Sequence, residues 1–209
     1  MLLTESRKQP IYLTFDDGPS AAYTMKLLDL LDMYHIRASF FVVGQFAEEN
    51  PEIIQRMQET GHTIGLHSLE HISAYIQPPG YPKKDFSRSV KILKQLGINP
   101  RFYRPPWGHT RSCTRKLAKQ YGLEIIYWDV MAEDWKGNTS AEEIAEKLLT
   151  RTRPGHIVCL HDGRGKKGAP ERTINALKTV LPLWIKKGYQ FHTIGEGGLP
   201  CISPITKKL

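Results

Sequence analysis

Short apolar runs and amphipathic stretches alternate along almost the whole 209-residue chain. Residues 11–15, 38–43, 63–66, 101–103, 124–128, 157–160 and 190–193 have the length and apolar character of strands and are bounded by turn residues. Between them, apolar positions recur at helical spacing. Asn50-Pro51 offers an N-cap and a proline at the first helical position, ahead of Ile53, Ile54 and Met57 on one face. Phe86, Val90, Leu93 and Leu96 form a stripe that Gly97 terminates. Ser140-Ala141-Glu142-Glu143 reads as a capping box before Ile144, Leu148 and Leu149. The last helix carries Ile174, Leu177, Leu181 and Trp184, and Pro182 is expected to bend it.

Seven strands separated by helices imply a parallel sheet, because a parallel pair needs a crossover connection. No repeat, low-complexity stretch or Pro/Ser-rich linker interrupts the pattern. We therefore expect one domain over residues 1–209, with a core of about 11–194 and short tails. An open doubly wound sheet and a barrel both fit this alternation, and the polar motifs decide between them. Five polar clusters begin where an apolar run stops. They are Asp16-Asp17-Gly18-Pro19, His67-Ser68-Leu69-Glu70-His71, Arg104-Pro105-Pro106-Trp107-Gly108, residues 129–135 and His161-Asp162-Gly163. An open sheet concentrates its chemistry at one crevice, whereas barrels draw it from several strands on the C-terminal rim. Five contributing strands favour a barrel-like α/β fold.

A net charge of +8 suits anionic partners such as acidic wall polymers, membrane surfaces or nucleic acid. The Lys and Arg residues are dispersed, however, with small clusters only at Arg164-Gly165-Lys166-Lys167 and Lys207-Lys208. That pattern reads as a solvated basic surface, and nucleic-acid binding is not expected. No protein partner can be inferred. The three cysteines, Cys113, Cys159 and Cys201, are oddly numbered for a disulfide framework and match no zinc knuckle. Cys159 lies two residues before His161, so on a strand it shares that face as a small core side chain. The first eight residues contain no apolar stretch of signal-peptide length, and no segment has the length of a bilayer span. A cytoplasmic protein fits, and so does an extracytoplasmic one whose export segment is missing from this sequence.

His67 and His71 are four residues apart, so on a helical turn both imidazoles point the same way and can share one metal. The signal is weak alone and gains force from its company. A divalent ion with an open position needs a third, anionic ligand, which the Asp16-Asp17 pair offers. Adjacent carboxylates repel unless cations intervene. A metal on one and Arg104 beside the other keep both ionised, giving one ligand and one general base. His161, with a reference pKa near neutrality, can then protonate a leaving nitrogen. Taken singly, Arg104, Asp134 and His161 read as ordinary polar groups, and Trp107, Trp128 and Trp135 as core.

The order Thr14-Phe15-Asp16-Asp17-Gly18-Pro19, His67-Ser68-x-x-His71, Arg104-Pro105-Pro106-Trp107-Gly108, Asp134-Trp135 and Leu160-His161 closely resembles the NodB-type polysaccharide deacetylases, carbohydrate esterase family four. The motifs span residues 11 to 162, and the strand–helix pattern continues to about residue 194. The resemblance implies a distorted, incompletely closed (β/α) barrel of about seven parallel strands. It implies Asp16 as general base, Asp17, His67 and His71 as metal ligands, and Arg104 as the residue orienting the base. It further implies the Trp107 backbone amide as an oxyanion donor, His161 as general acid tuned by Asp134, and Trp135 lining the acetyl pocket. Zinc is the metal expected, with cobalt, nickel or manganese serving some relatives. The implied activity is removal of N-linked acetyl groups from N-acetylated sugar polymers, peptidoglycan or chitin-like.

Trp107 stands where the family commonly has Tyr or Phe, and Cys159 where an aliphatic residue is usual. The Pro-rich segment 72–86 resembles a family-variable loop beside the metal histidines. An allantoinase-like hydrolase of small cyclic amides is the rival on the same scaffold. A non-catalytic glycan-binding relative is the rival of another class, although such members are expected to lack some of the residues intact here.

Overall fold

The computed structural model describes residues 9–166 and 168–196. Segment 1–8, Lys167, Cys201 and the Lys207-Lys208 pair lie outside them. In chain order the elements are β1 (Gln9–Asp16), α1 (Thr24–Met33), β2 (Ser39–Val42), α2 (Gly44–Glu49), α3 (Pro51–Glu59), β3 (Thr63–Leu66) and α4 (Tyr81–Gln95). There follow β4 (Phe102–Tyr103), a 3-10 turn at Pro106–Gly108, α5 (Ser112–Gln120), β5 (Glu124–Ile125) and β6 (Val130–Met131). The chain ends in α6 (Ala141–Arg151), β7 (Ile157–His161), α7 (Ala169–Lys186) and β8 (Tyr189–His192).

All strand pairs are parallel, in the order β5-β4-β3-β2-β1-β7-β6. β8 also pairs with β1, alongside its first half, Gln9 to Tyr12, while β2 takes the second half, Thr14 to Asp16. Among the described residues β5 and β6 do not pair with each other, so the curled sheet stays open on that side. This is the incompletely closed α/β barrel that the family resemblance implies.

Packing on both faces explains why the strands read as continuous apolar runs. All four residues of β2 are buried. Phe40 joins the core beneath the helices and stacks on Phe15 at 5.2 Å. Phe41, the next residue, turns to the inside of the curl with Tyr12, Phe102, Ile126, Ile157 and Ile194. Gly65 on β3 faces that plug, where an added Cβ would lie 2.7 Å from the Phe41 ring. The inner face leaves no room for a side chain there.

Several elements differ from the periodicity reading. The 124–128 run forms only a two-residue strand, and the chain re-enters the sheet as β6, an eighth strand too short to show as a pattern. Segment 72–86 is a loop only as far as Gly80, since α4 begins at Tyr81 with Pro82 in its first turn. Asn50 stands at the start of α3, but its side-chain amide donates back to Phe46 O of α2 at 2.9 Å and so does not cap α3. The Ser140 capping box forms as read, with Glu143 N–H donating to Ser140 Oγ and Ser140 N–H to Glu143 Oε2. α7 continues through Pro182 and buries Ile174, Leu177, Leu181 and Trp184.

Candidate active site

The ends of β1, β3, β4 and β7, with the segment after β6, deliver their polar residues to one cleft of about 970 Å³. At its floor Asp17 Oδ1 lies 3.2 Å from His67 Nε2 and 2.9 Å from His71 Nε2. His67 Nδ1 is 2.6 Å from the Arg104 carbonyl, which can only accept, so Nδ1 carries the hydrogen. Nε2, the other ring nitrogen, is the one turned to the Asp17 carboxylate. Asp17 Oδ1 is buried and has no conventional hydrogen-bond donor. The donor set, one carboxylate and two imidazoles, suits a divalent ion with positions left open for substrate. Burial alone would raise the Asp17 carboxyl, yet the two histidines hold it well below the usual carboxylate range.

The two histidines do not sit on a helix. The link between them turns through left-handed backbone at Ser68 (φ 70°) and His71 (φ 55°). Asp17 (φ 74°) and Trp107 (φ 55°) share that sparsely populated region. Four strained residues around one cleft mark a locally over-determined site, as functional sites often are.

Asp16 faces the other way. Its Oδ1 takes Arg104 Nη1 at 2.7 Å, and its Oδ2 is 3.4 Å from the Cys159 thiol. The guanidinium of Arg104 is fully buried and also donates to Thr14 Oγ1, Ile126 O and Tyr127 O, with Phe41 beneath it at 4.1 Å. Its direction is therefore fixed from every side. Asp134, also fully buried, accepts from the His161 backbone N–H, from His161 Nδ1 and from Thr173 Oγ1, each at 2.8 Å. Burial would lower the His161 imidazole, but Asp134 overrides it and pushes the pKa up to about 9. His161 Nε2 is thereby left as a charged donor.

Trp107 and Trp135 are not core, and Trp128 only borders the inner apolar cluster. Trp107 is 55% exposed and lies tilted against the His71 ring at 4.3 Å, and its backbone N–H makes no backbone hydrogen bond among the described residues. Trp128 and Trp135 are half-buried and line the same cleft, Trp135 with its ring edge toward His161 at 5.4 Å.

The polysaccharide deacetylase family profile matches residues 4–126. The chain belongs to that family. A peptidoglycan-N-acetylglucosamine deacetylase of Bacillus cereus is 33% identical over 188 residues, covering 89% of this chain and 86% of that protein. A chitooligosaccharide deacetylase of Bradyrhizobium is 30% identical over 202 residues, covering 91% of each. The solved structure of a peptidoglycan N-acetylglucosamine deacetylase in complex with 4-naphthalen-1-yl-N-oxidanyl-benzamide is 32% identical, with a TM-score of 0.83 over 90% of this chain and 87% of that one. Family deacetylases are metal-dependent, in keeping with the Asp17–His67–His71 cluster.

The fold gathers all nine residues singled out from sequence. Asp16, Asp17, His67, His71, Trp107, Trp135 and His161 line the cleft, while Arg104 and Asp134 sit behind Asp16 and His161. Sequence reasoning missed the supporting contacts: the Cys159 thiol on Asp16, Thr14 on Arg104, and Thr173 on Asp134. Only the Cys159–His161 spacing along one strand hinted at the first.

Proposed function

We propose that this chain removes N-linked acetyl groups from N-acetylated sugar polymers, releasing acetate. The observation that carries the reading is the division between neighbours: Asp17 turned toward two imidazoles, Asp16 held by Arg104. Asp17, His67 and His71 would hold one divalent ion, zinc by preference given two nitrogen ligands and an open site. When bound, the ion supplies Lewis-acid polarisation to the acetyl carbonyl and to water.

The chain's own groups account for the remainder. Asp16, with Oδ1 anchored on Arg104, accepts the proton of the attacking water. The water oxygen bonds to the acetyl carbon, and the Trp107 backbone N–H donates to the oxygen on which charge develops. As the carbon–nitrogen bond breaks, His161 gives its Nε2 proton to the departing amine. Asp134 keeps that imidazole charged until then. Trp135, against His161, shapes the space for the acetyl methyl.

The cleft is wide and continues past the metal ligands along its rim, which suits a strand better than a small cyclic amide. Acetate release from N-acetylglucosamine oligomers and from peptidoglycan strands, with defined zinc added, tests the reading. Rapid opening of allantoin-like imides with all acetylated sugars left intact would overturn it.

A further inference from the structure

The two walls of the cleft differ in chemistry. On one side Trp107 leads outward to His109, which stacks on the exposed Tyr75 ring at 4.3 Å. On the other, the segments after β6 and β7 bring Lys136, Arg164 and Lys166 to the rim, all exposed. Arg172 ties those segments together by donating to the carbonyls of Lys136, Thr139 and Lys166. Among the described residues the acids lining the cleft are Asp16 and Asp17, at its floor and already committed, and the adjoining groove adds Glu49. Lys136 is paired with Glu133 at 2.6 Å, but Arg164 and Lys166 have no acidic partner among the described residues. Arg164 also lies on a second groove that runs past Asp17 toward Tyr23, so it stands where the two channels meet.

We propose that Arg164 and Lys166 bind a carboxylate carried by the glycan, making acidic strands the preferred substrates over neutral N-acetylglucosamine polymers. This rests on the deacetylase reading. Two cations without acidic partners leave a local positive field, which selects the substrate able to neutralise it. The aromatic wall gives every sugar the same apolar contact and so does not discriminate by charge. The cationic wall does. The carboxylate has two sources in a peptidoglycan strand: the lactyl group of a muramic residue, or the end of its peptide stem.

Three strands separate these cases. One carries peptide stems, one has been stripped of stems to free the lactyl carboxylates, and one is stripped with those carboxylates converted to amides. A neutral N-acetylglucosamine oligomer serves as a fourth substrate. Acetate release is measured on each with the zinc-loaded enzyme. We expect kcat/KM on one of the carboxylate-bearing strands to exceed that on the amidated strand by about tenfold, the scale of one charge-assisted contact. The advantage should shrink as salt rises. The double variant R164Q/K166Q should lose most of it through KM. The stripped strand winning identifies the lactyl carboxylate, and the stem-bearing strand winning identifies the peptide's. Equal rates on charged and amidated strands, or an advantage that survives in R164Q/K166Q, overturn this inference and leave the deacetylase reading standing. No acetate from any of the four substrates overturns both.

Discussion

Asp16 and Asp17 are chemically identical and adjacent, yet their surroundings assign them opposite work. Asp16→Asn keeps the shape but cannot accept a proton, so it should lower kcat by about 10²–10⁴ while metal content stays near one ion per chain. Asp17→Asn removes the anionic ligand, so it should lose metal, with turnover partly recovered by excess zinc or cobalt. Acetate release beside elemental analysis decides the matter, and the reverse pattern would exchange the two roles. His161 gives a second test at this scale. Its pKa of about 9 keeps it protonated at neutral pH, so activity should fall as pH rises through about 9. Asp134→Asn removes the raising charge while burial still lowers the imidazole, so that limb of the pH profile should move well down. An unmoved limb in Asp134→Asn means another group sets it. The same pair contributes stability that is complete below about 6.5 and is lost as pH climbs through about 9. These identities were legible because the motifs are contiguous and end apolar runs. The Cys159 and Thr173 contacts were not, since 143 and 39 residues separate each from its partner, and only the fold sets that proximity.

Elements succeed or fail here by how much local chemistry specifies them. α6 was readable because Ser140 and Glu143 satisfy each other's backbone N–H groups. Ser140→Ala should cost about 0.5–2 kcal/mol, seen as a lower denaturation midpoint with activity intact. A midpoint equal to wild type would mean that packing alone starts the helix. β6 escaped notice because two residues carry no period; register against Val158 and Cys159 makes it a strand. The His67–His71 pair was expected on a helix, and the fold achieves the same convergence with a strained loop instead. Loops also meet closely at β7, where an added Cβ on Gly163 would overlap the Asp17 carbonyl oxygen. Gly163→Ala should therefore destabilise the fold by about 1–3 kcal/mol and, if Asp17 is the ligand we propose, weaken metal affinity together. A stability loss with unchanged metal affinity would show that the Asp17 backbone shifts without moving its carboxylate.

At the scale of the molecule, parallel pairing aligns every strand's C-terminal end on one rim, which is why motifs scattered from residue 16 to residue 161 meet. Alternation of strand and helix was enough to predict that rim, whereas sheet order depended on long-range packing that no local pattern records. The curl is open between β5 and β6, so nothing in the sheet itself clamps the two sides of the cleft. The metal cluster draws its ligands from the ends of β1 and β3, whose strands pair through β2, and His67 leans on Arg104 after β4. An ion held there would tie together the ends of β1 and β3, which supply all three of its candidate ligands. It binds the folded state and should bind the unfolded chain far less, because His67 and Asp17 are 50 residues apart in sequence. Folding stability should then rise by RT ln(1 + [metal]/Kd), about 2.7 kcal/mol at a hundredfold excess over Kd. For a chain of this size that corresponds to roughly 5–10 °C in Tm. We expect the zinc-loaded protein to melt higher than the chelated protein by that amount. Asp17→Asn should abolish the difference, while Asp16→Asn retains it. An equal zinc-dependent shift in Asp17→Asn would place the ion elsewhere, and the cluster would lose its claim to be the metal site.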